Sequence, residues 1–381
     1  MVARKIPQIR TTPIDDENAL PNRAHKGRGS VSNRTSGRFN MPDRYDIDDG
    51  WTVQENDALD QRQERRKTIL GIDSARTIIT RNTSPDVGFD RSINPYKGCE
   101  HGCIYCFARP THAYLDLSPG LDFETRIFRK PDAAKLLRAE LSDRRYTAAP
   151  MVLGINTDAY QPTERTEKLT RSLLEVLYEF RHPVHIVTKS ALIQRDLDIL
   201  GPMAAANLFS ATLSVTTLDR HVARVMEPRA ATPSRRIDTI AALHAAGVPV
   251  SVLAAPMIPG LTDHELEAIL AAARDAGADR AGYTLVRLPW EIKTLFEEWL
   301  LETFPDRARK VLNHIRESRG GKLNDGNFGS RMVGEGIYAD MLKKRFELAT
   351  RKLGFNQYGR EARRGLDYSQ FRGGDKQLSL F

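Results

Sequence analysis

The stretch NPYKGCEHGCIYCFAR, residues 94–109, contains all three cysteines of this 381-residue chain. Cys99, Cys103 and Cys106 follow the spacing C-x3-C-x2-C. A secreted disulfide framework uses an even number of cysteines spread along the chain, so three clustered thiols indicate metal binding or redox chemistry. Three thiolates can bind three irons of a [4Fe–4S] cubane and leave the fourth iron without a protein ligand.

That open iron has a specific use. S-adenosylmethionine (SAM) can chelate it through its amino and carboxylate groups and accept an electron into the sulfonium, which releases a 5′-deoxyadenosyl radical. A structural zinc site is the alternative, because His101 would complete a Cys3His set. His101 lies only two residues from both Cys99 and Cys103, which crowds a single tetrahedron, so the spacing favours the iron–sulfur cluster.

Composition limits the class of protein. The hydrophobic fraction of 40% is sufficient for a sizeable core. No apolar run reaches the roughly 18 residues of a transmembrane helix, and residues 1–10 are not a signal peptide, so we expect a cytoplasmic protein that makes no membrane contact. The net charge of +8 and the basic end from Met341 to Phe381 suggest nucleic acid as a partner.

Short apolar runs alternate with amphipathic helices through the middle of the chain. This alternation predicts an α/β fold with a parallel sheet and right-handed crossovers. Six units do not close an eight-stranded barrel, so we predict an open, TIM-like (β/α)6 partial barrel with its active residues at the carboxyl ends of the strands. The predicted strands are Ser92–Tyr96, Met151–Asn156, Val184–Thr188, Leu208–Thr216, Pro249–Ala255 and Gly282–Val286.

The predicted helices have apolar positions at i, i+3 and i+4. Thr262 and Glu265 form a capping-box pattern at the start of one of them. We predict four regions: a mostly disordered basic and polar segment (1–80), the partial barrel (81–290), a helical extension (291–355) and a basic tail (356–381). The barrel helices are predicted at Leu169–Phe180, Asp196–Ala206, Arg235–Ala246 and Glu265–Ala276, and those of the extension at Glu291–Phe304, Asp306–Arg319 and Ile337–Leu353.

The cysteine motif, with Tyr105 at its aromatic position, resembles the signature of the radical SAM superfamily. The wider stretch from about Ala75 to Leu353 resembles the DNA repair photolyase-like branch, which is related to spore photoproduct lyase. The matching segments are RSINPY at 91–96, TDAYQP at 157–162, VTKS at 187–190, SVTT at 214–217 and MEPR at 226–229.

The resemblance implies positions for SAM. Tyr105 would lie near the adenine, Lys189 would pair with the SAM carboxylate, and the stretch 156–158, with Thr157 and Asp158, stands where relatives bind the amino group. On the next strand Ser214 and Thr216 would reach the ribose or the carboxylate. Ile258 and Gly260 belong to a segment that resembles the one flanking the adenine.

Two further polar groups are predicted on the loops of the same face. The stretch from Asp158 to Glu164 and the residues Arg224, Glu227 and Arg229 could bind substrate, or form ordinary loop salt bridges.

Spore photoproduct lyase uses an additional cysteine as its hydrogen donor, and this chain has no fourth cysteine. The donor would then be a tyrosine such as Tyr160 or Tyr283, the substrate itself, or regenerated SAM. The reaction would also need a separate electron donor.

The chain ends in QLSLF, which resembles the short peptide that docks bacterial repair proteins on the replication sliding clamp. Gln377 would anchor by hydrogen bonds while Leu378, Leu380 and Phe381 fill an apolar pocket. The alternative is a tail that folds back onto the barrel.

Three hypotheses follow from the sequence. The first is a radical SAM enzyme that acts on nucleic acid, most simply DNA in a repair-like lyase reaction. The second is a radical SAM enzyme that acts on RNA or on a small metabolite. The third is a zinc-binding clamp adaptor without catalytic activity.

Overall fold

The structure, a computed structural model, describes residues 27–39, 67–357 and 365–373. The strands of these residues are β1 (Ile69–Ile72), β2 (Ile79–Arg81), β3 (Arg91–Ile93), β4 (Tyr96–Lys97), β5 (Arg126–Arg129), β6 (Met151–Leu153), β7 (Val184–Thr188), β8 (Phe209–Ser214), β9 (Val250–Met257) and β10 (Arg280–Leu285).

The larger sheet confirms the prediction of six parallel strands in sequence order. Its strand order is β10-β9-β8-β7-β6-β3-β2, in which β3 and β6 to β10 run parallel and β2 pairs antiparallel at the edge. The strands are rich in Val, Ile, Leu and Ala because helices cover one of their faces. This curved sheet is the partial barrel that the alternating pattern predicts.

A second, three-stranded sheet was not predicted. Its order is β1-β5-β4, and β4 leads directly into Gly98 and Cys99. The predicted strand Ser92–Tyr96 is therefore split, with β3 in the barrel and β4 in the small sheet. The small sheet fixes the start of the cysteine loop, residues 98–109.

Helices cover the outer face of the barrel, as predicted, and others lie at the carboxyl ends of its strands. Their bounds are α1 (Leu121–Thr125), α2 (Ala133–Ser142), α3 (Glu164–Glu167), α4 (Leu169–Glu179), α5 (Leu197–Ala205), α6 (Arg220–Met226), α7 (Pro233–Ala245), α8 (Leu266–Asp275), α9 (Ile292–Thr303), α10 (Pro305–Glu317), α11 (Ser330–Val333) and α12 (Ile337–Leu353). Within the described residues, 3-10 turns span Arg109–Leu115, Ala191–Asp196, Asp263–Glu265 and Tyr368–Gln370.

The capping-box prediction is wrong. Thr262 makes no side-chain cap, and its hydroxyl instead accepts a hydrogen bond from the Ile258 N–H at 3.0 Å. The Glu265 carboxylate binds the Thr217 hydroxyl at 2.7 Å and the Leu218 N–H. Both side chains tie the loops after β8 and β9 to the start of α8.

Two large hydrophobic clusters make up most of the buried interior of the described residues. The larger one lies between the barrel strands and their helices, and includes Ile186, Leu213, Val252 and Ile269. The smaller one joins the cysteine loop to α9 and α10, so the helical extension packs against the carboxyl ends of the strands. The Trp299 indole N–H also donates to the Val225 carbonyl at 3.1 Å across this junction.

Parts of both predicted flexible regions pack onto the barrel. Residues 27–39 lie against the cysteine loop, and Ser30, Ser32 and Ser36 are buried. At the other end of the barrel, Phe371 packs against Tyr146 and His182. The clamp-like peptide 377–381 lies outside the described residues, so its binding remains a prediction.

The described residues contain twelve α-helices, of which α12 is the longest at 17 residues. None of them is long and apolar enough to cross a bilayer.

Candidate active site

The cysteine loop turns tightly at two glycines. Gly98 and Gly102 adopt φ values of +79° and +67°, a region that residues with a side chain rarely occupy. A Cβ at Gly98 would lie 2.9 Å from the Phe123 carbonyl oxygen, and one at Gly102 would lie 2.7 Å from a Glu124 carboxylate oxygen. Both turns therefore require glycine.

The Arg109 side chain fixes the backbone of this loop through hydrogen bonds. Its guanidinium is fully buried and donates to five acceptors, which use the whole of its donor capacity. These acceptors are the carbonyls of Gly102, Cys103, Pro119 and Gly120 and the carboxylate of Glu124. The bonds to Gly102 and Cys103 fix the backbone on which the thiols are carried.

Glu124 extends the same network to the amino-terminal segment. Its carboxylate accepts hydrogen bonds from the backbone N–H groups of Gly29 and Ser30 at 2.9 and 2.8 Å. The Arg28 guanidinium donates to the Glu124 carbonyl at 2.7 Å. Residues 28–30 therefore form part of the support of the cysteine loop.

The three thiols of the cysteine loop differ in exposure. Cys99 and Cys103 are buried and Cys106 is partly exposed. Within the described residues, no three His, Cys, Asp or Glu side chains are arranged to hold one metal ion. A cubane does not need such convergence because each thiolate binds a different iron.

The thiols lie in surroundings that disfavour their charged form. Burial raises the pKa of all three thiols, and that of Cys103 to about 12. A thiolate ligand in this setting needs a cation next to it, as iron would provide. The Lys189 ammonium is a nearby protein charge that acts on both Cys103 and Cys106.

Lys189 follows β7 and points to the cysteine loop. Its ammonium lies 5.8 Å from the centre of the Tyr105 ring. Among the described residues no carboxylate lies within ion-pair distance of this ammonium. The structure thus brings Lys189, Tyr105 and the thiols together, as the sequence predicted, with the ammonium available to an anionic ligand.

A buried network lies behind Tyr105. The Glu227 carboxylate accepts hydrogen bonds from the Tyr105 hydroxyl, from the Arg236 guanidinium and, at 2.7 Å, from the Thr216 hydroxyl. Burial opposes the charge on Glu227, but Arg236 and Lys189 hold the pKa of this carboxyl below its usual value. The Thr216 hydroxyl also lies 2.9 Å from the Ala255 carbonyl. Its hydrogen bonds go to protein groups behind Tyr105, and so it helps to hold the Tyr105 side chain in place.

Two other predicted SAM ligands are buried next to this network. The Ser214 hydroxyl donates to the Ala255 carbonyl at 3.0 Å. Ile258 packs in the cluster that contains Cys103 and Tyr105. Gly260 lies under the extension instead, where an added Cβ would approach the His314 ring at 3.3 Å.

Asp158 is fully occupied by protein donors. Its two oxygens accept from the Tyr160 and Lys189 N–H groups and the Thr188 hydroxyl at 2.7–2.8 Å, and the His101 ring nitrogen lies at 3.3 Å. Burial alone would raise the pKa of Asp158, but His101 and these hydrogen bonds lower it to about 2. Asp158 therefore ties β6 and β7 to the cysteine loop.

The neighbours of Asp158 differ in their exposure. Thr157 is buried, and its hydroxyl donates to the Tyr96 carbonyl at 3.0 Å. Asn156 is exposed. Of the stretch 156–158, Asn156 is the residue whose side chain is open to a ligand.

The two tyrosines considered as hydrogen donors, Tyr160 and Tyr283, both pack in the cluster between the barrel strands and their helices. Tyr160 is buried in the core beneath the helices, where its hydroxyl donates to Asp196 at 3.1 Å. Tyr283 pairs with Ala254 on the helix-facing side of β10, and its ring lies 4.7 Å from that of Phe346 on α12. Both rings therefore contact the helix side of the sheet.

The predicted substrate arginines have different surroundings. Arg229 binds the Glu100 carboxylate at 2.9 Å and braces the cysteine loop. Arg224 is exposed on α6. Glu227 belongs to the buried network and is not available to substrate.

Comparisons with known proteins agree with this geometry. Residues 93–273 match the family model described as the radical SAM superfamily. An uncharacterized protein of Mycobacterium tuberculosis is 36% identical over 220 residues, which are 57% of this chain and 65% of the relative. An uncharacterized protein of Methanocaldococcus jannaschii is 27% identical over 173 residues, 45% of this chain and 62% of that protein. The matches thus span less than two thirds of these relatives.

The fold is that of spore photoproduct lyase. A structure of this lyase complexed with dinucleoside spore photoproduct has a TM-score of 0.53 and 15% identity, over 76% of this chain and 80% of that chain. A mutant of the same enzyme with bound AdoMet and dinucleoside spore photoproduct also has a TM-score of 0.53, at 16% identity and the same coverage.

Proposed function

The chain carries a radical SAM domain at residues 93–273, and we propose that it is an enzyme that reductively cleaves SAM at a [4Fe–4S] cluster on Cys99, Cys103 and Cys106. The observation that carries this proposal is the cysteine loop, which is fixed by Arg109 and has the Lys189 ammonium beside its thiols. When bound and reduced, the cluster supplies one electron that breaks a carbon–sulfur bond of SAM to give methionine and a 5′-deoxyadenosyl radical.

The protein's part is to orient SAM. Lys189 pairs with the SAM carboxylate, because its ammonium has no carboxylate partner among the described residues. The exposed Asn156 accepts a hydrogen bond from the SAM amino group through its carbonyl oxygen. Tyr105 and Ile258 provide apolar contact for the adenine.

Ser214, Thr216, Thr157 and Asp158 act as positioning residues in this proposal. Their polar atoms already bind protein partners. Asp158 and the pair Glu227–Arg236 set the backbone and ring around the ligand without touching it. With Tyr160 and Tyr283 facing away, the hydrogen returned to the product comes from the substrate or from regenerated SAM.

We propose nucleic acid as the substrate class, with repair of DNA as the leading reaction. The net charge of +8 supports this, because cationic surfaces gain affinity by releasing counterions from phosphates. The lyase of similar fold binds a dinucleoside photoproduct. RNA and small metabolites remain the alternatives, and an external electron donor is required in every case.

The test is anaerobic reconstitution with iron and sulfide, followed by dithionite, SAM and either DNA, RNA or no nucleic acid. We expect about four irons per chain and 5′-deoxyadenosine that increases with DNA. Stimulation by RNA instead would transfer the proposal to RNA. One zinc per chain without 5′-deoxyadenosine would replace the enzyme with the adaptor hypothesis.

Docking on the replication clamp is a separate proposal that rests on the sequence of Gln377, Leu378, Leu380 and Phe381. Purified clamp would bind the full chain and lose affinity for a Phe381→Ala variant, with Ser379→Ala as the matched control. Equal binding of both variants would remove the clamp from the account. We also propose that the protein works in the cytoplasm, where reducing conditions keep its thiols available.

A further inference from the structure

Exposed aromatic rings border the cysteine loop on one side. Phe107, Trp290 and Phe328 are 45%, 59% and 60% exposed. A soluble protein rarely exposes such large rings together without a use. We call these three rings and the guanidinium of Arg287 the aromatic rim.

The rim is continuous with the active site. Phe107 directly follows Cys106, and Arg287 follows the end of β10 with its guanidinium 6.0 Å from the centre of the Phe107 ring. Trp290 lies three residues farther along the same loop. Arg38 stacks on Trp290 at 4.7 Å and donates to the Pro110 carbonyl at 2.8 Å, which places Trp290 beside the cysteine loop.

Phe328 extends the rim toward the open side of the barrel. The Arg331 guanidinium lies 4.4 Å from the Phe328 ring and is paired with Asp86, on the loop between β2 and β3. Arg287 lies next to this pair, since its Nη1 is 3.5 Å from the Met332 sulfur. The rim thus runs from the cysteine loop to the gap between the first and last barrel strands.

Arg287 differs from the other arginines of this surface. Arg38 and Arg331 have carboxylate partners in Glu291 and Asp86. No carboxylate of the described residues lies within ion-pair distance of Arg287, and its buried Nε has no hydrogen-bond acceptor. Burial and the neighbouring Arg331 charge also lower the pKa of Arg287, so an anion bound here would be stabilised.

Aromatic faces that alternate with a cation match single-stranded nucleic acid, because bases stack on the rings while the phosphates take the charge. We propose that the aromatic rim binds unpaired nucleotides of the substrate, with bases on Phe107, Trp290 and Phe328 and a phosphate on Arg287. This inference rests on nucleic acid being the substrate, and extends it by naming the binding surface and the unpaired state of the bases.

The test uses the reconstituted protein without reductant, so that binding is measured independently of SAM cleavage. The probe is an unmodified labelled oligonucleotide of about 20 nucleotides, as single-stranded DNA, single-stranded RNA and duplex DNA, followed by fluorescence anisotropy. Trp290→Ala should weaken single-strand binding at least about fivefold, while Trp290→Phe retains it. Tyr178→Ala, which removes an exposed aromatic ring from α4, is the matched control and should leave binding unchanged.

Two further readouts separate stacking from charge. Base stacking should quench tryptophan fluorescence, and Trp290→Phe should reduce this quenching while binding persists. Arg287→Met should reduce the salt dependence of binding by about 0.7 in log–log slope, whereas Arg138→Met, an exposed arginine on α2, should not. Tighter binding of single-stranded DNA than of single-stranded RNA, or the reverse, would show which nucleic acid the aromatic rim binds.

Preference for duplex over both single strands would overturn the inference. So would equal affinities of the Trp290→Ala and Tyr178→Ala variants, or absence of binding at low salt. In each of these cases 5′-deoxyadenosine formation by the same preparation would still support the radical chemistry, so the two failures can be told apart.

Discussion

Replacement of Arg109 by methionine tests the support of the cysteine loop. The change keeps a long side chain but removes five hydrogen bonds and the buried charge that faces Glu124. Glu124 would then keep only the two N–H groups of residues 29 and 30. The structure predicts both a less stable fold and a poorly held cluster.

The magnitude follows from the burial of the pair. Both side chains are 0% exposed, and removal of one partner of a buried ion pair costs about 3–5 kcal/mol. Typical domains unfold at a cost of about 5–15 kcal/mol, so the variant should still fold, with a large part of its stability lost. Arg109→Lys keeps the charge but has three donors instead of five, so its loss should be intermediate.

Urea unfolding of the cluster-free chain measures this loss, and iron per chain after reconstitution measures its effect on the cluster. The matched control is Arg138→Met, because Arg138 and Glu179 form an ion pair that is about half exposed and worth about 0–1 kcal/mol. We expect Arg109→Met to lose at least about 2 kcal/mol more than this control and to bind less iron. Equal losses in the two variants, with full iron content in both, would refute the role given to Arg109.

Three further predictions concern the other residues of the site. Lys189→Met should raise the SAM dissociation constant at least about tenfold through the loss of one charged contact, measured by calorimetry on the reconstituted protein; an unchanged constant would remove Lys189 from the SAM site. Because the pKa of Asp158 is lowered to about 2, its charge stabilises the fold above about pH 4, and this contribution of about 2 kcal/mol is lost as the pH falls toward 2. Urea unfolding of the cluster-free chain at about pH 6 and pH 3 should therefore show a smaller acid loss in Asp158→Asn than in the wild type, and equal losses would contradict the assignment. Tyr160→Phe and Tyr283→Phe should keep the wild-type ratio of substrate-derived product to 5′-deoxyadenosine, because both side chains pack on the helix side of the barrel; a lower ratio in either correctly folded variant would restore a tyrosine as the hydrogen donor.

The barrel strands and the cysteine loop could be predicted from the sequence, because short apolar runs mark the strands and the cysteine spacing marks the loop. The strand predicted at Val184–Thr188 has the observed bounds, and Lys189 follows from its place at the carboxyl end of that strand. The sequence did not predict the small sheet, since β4 contains only two residues and pairs with β5 about thirty positions later.

At the site, the sequence did not indicate which face of a strand some side chains occupy or which distant residues form pairs. Tyr283 was placed by proximity to a strand end, but alternation along β10 puts its ring on the helix side. Arg109 and Glu124 form a pair whose amino-terminal partners are about ninety residues away, so no local pattern indicates it. Arg236 did have a signal, because a charged residue on the apolar face of α7 indicates a buried partner.

The most direct test of the central claim is the amount of 5′-deoxyadenosine formed from SAM by the reconstituted, dithionite-reduced protein and by its Cys103→Ala variant. The account predicts product from the wild type and none above background from the variant, which also loses its cluster iron. Equal formation of 5′-deoxyadenosine by both proteins would contradict the assignment of Cys103 and of the radical SAM chemistry to this loop.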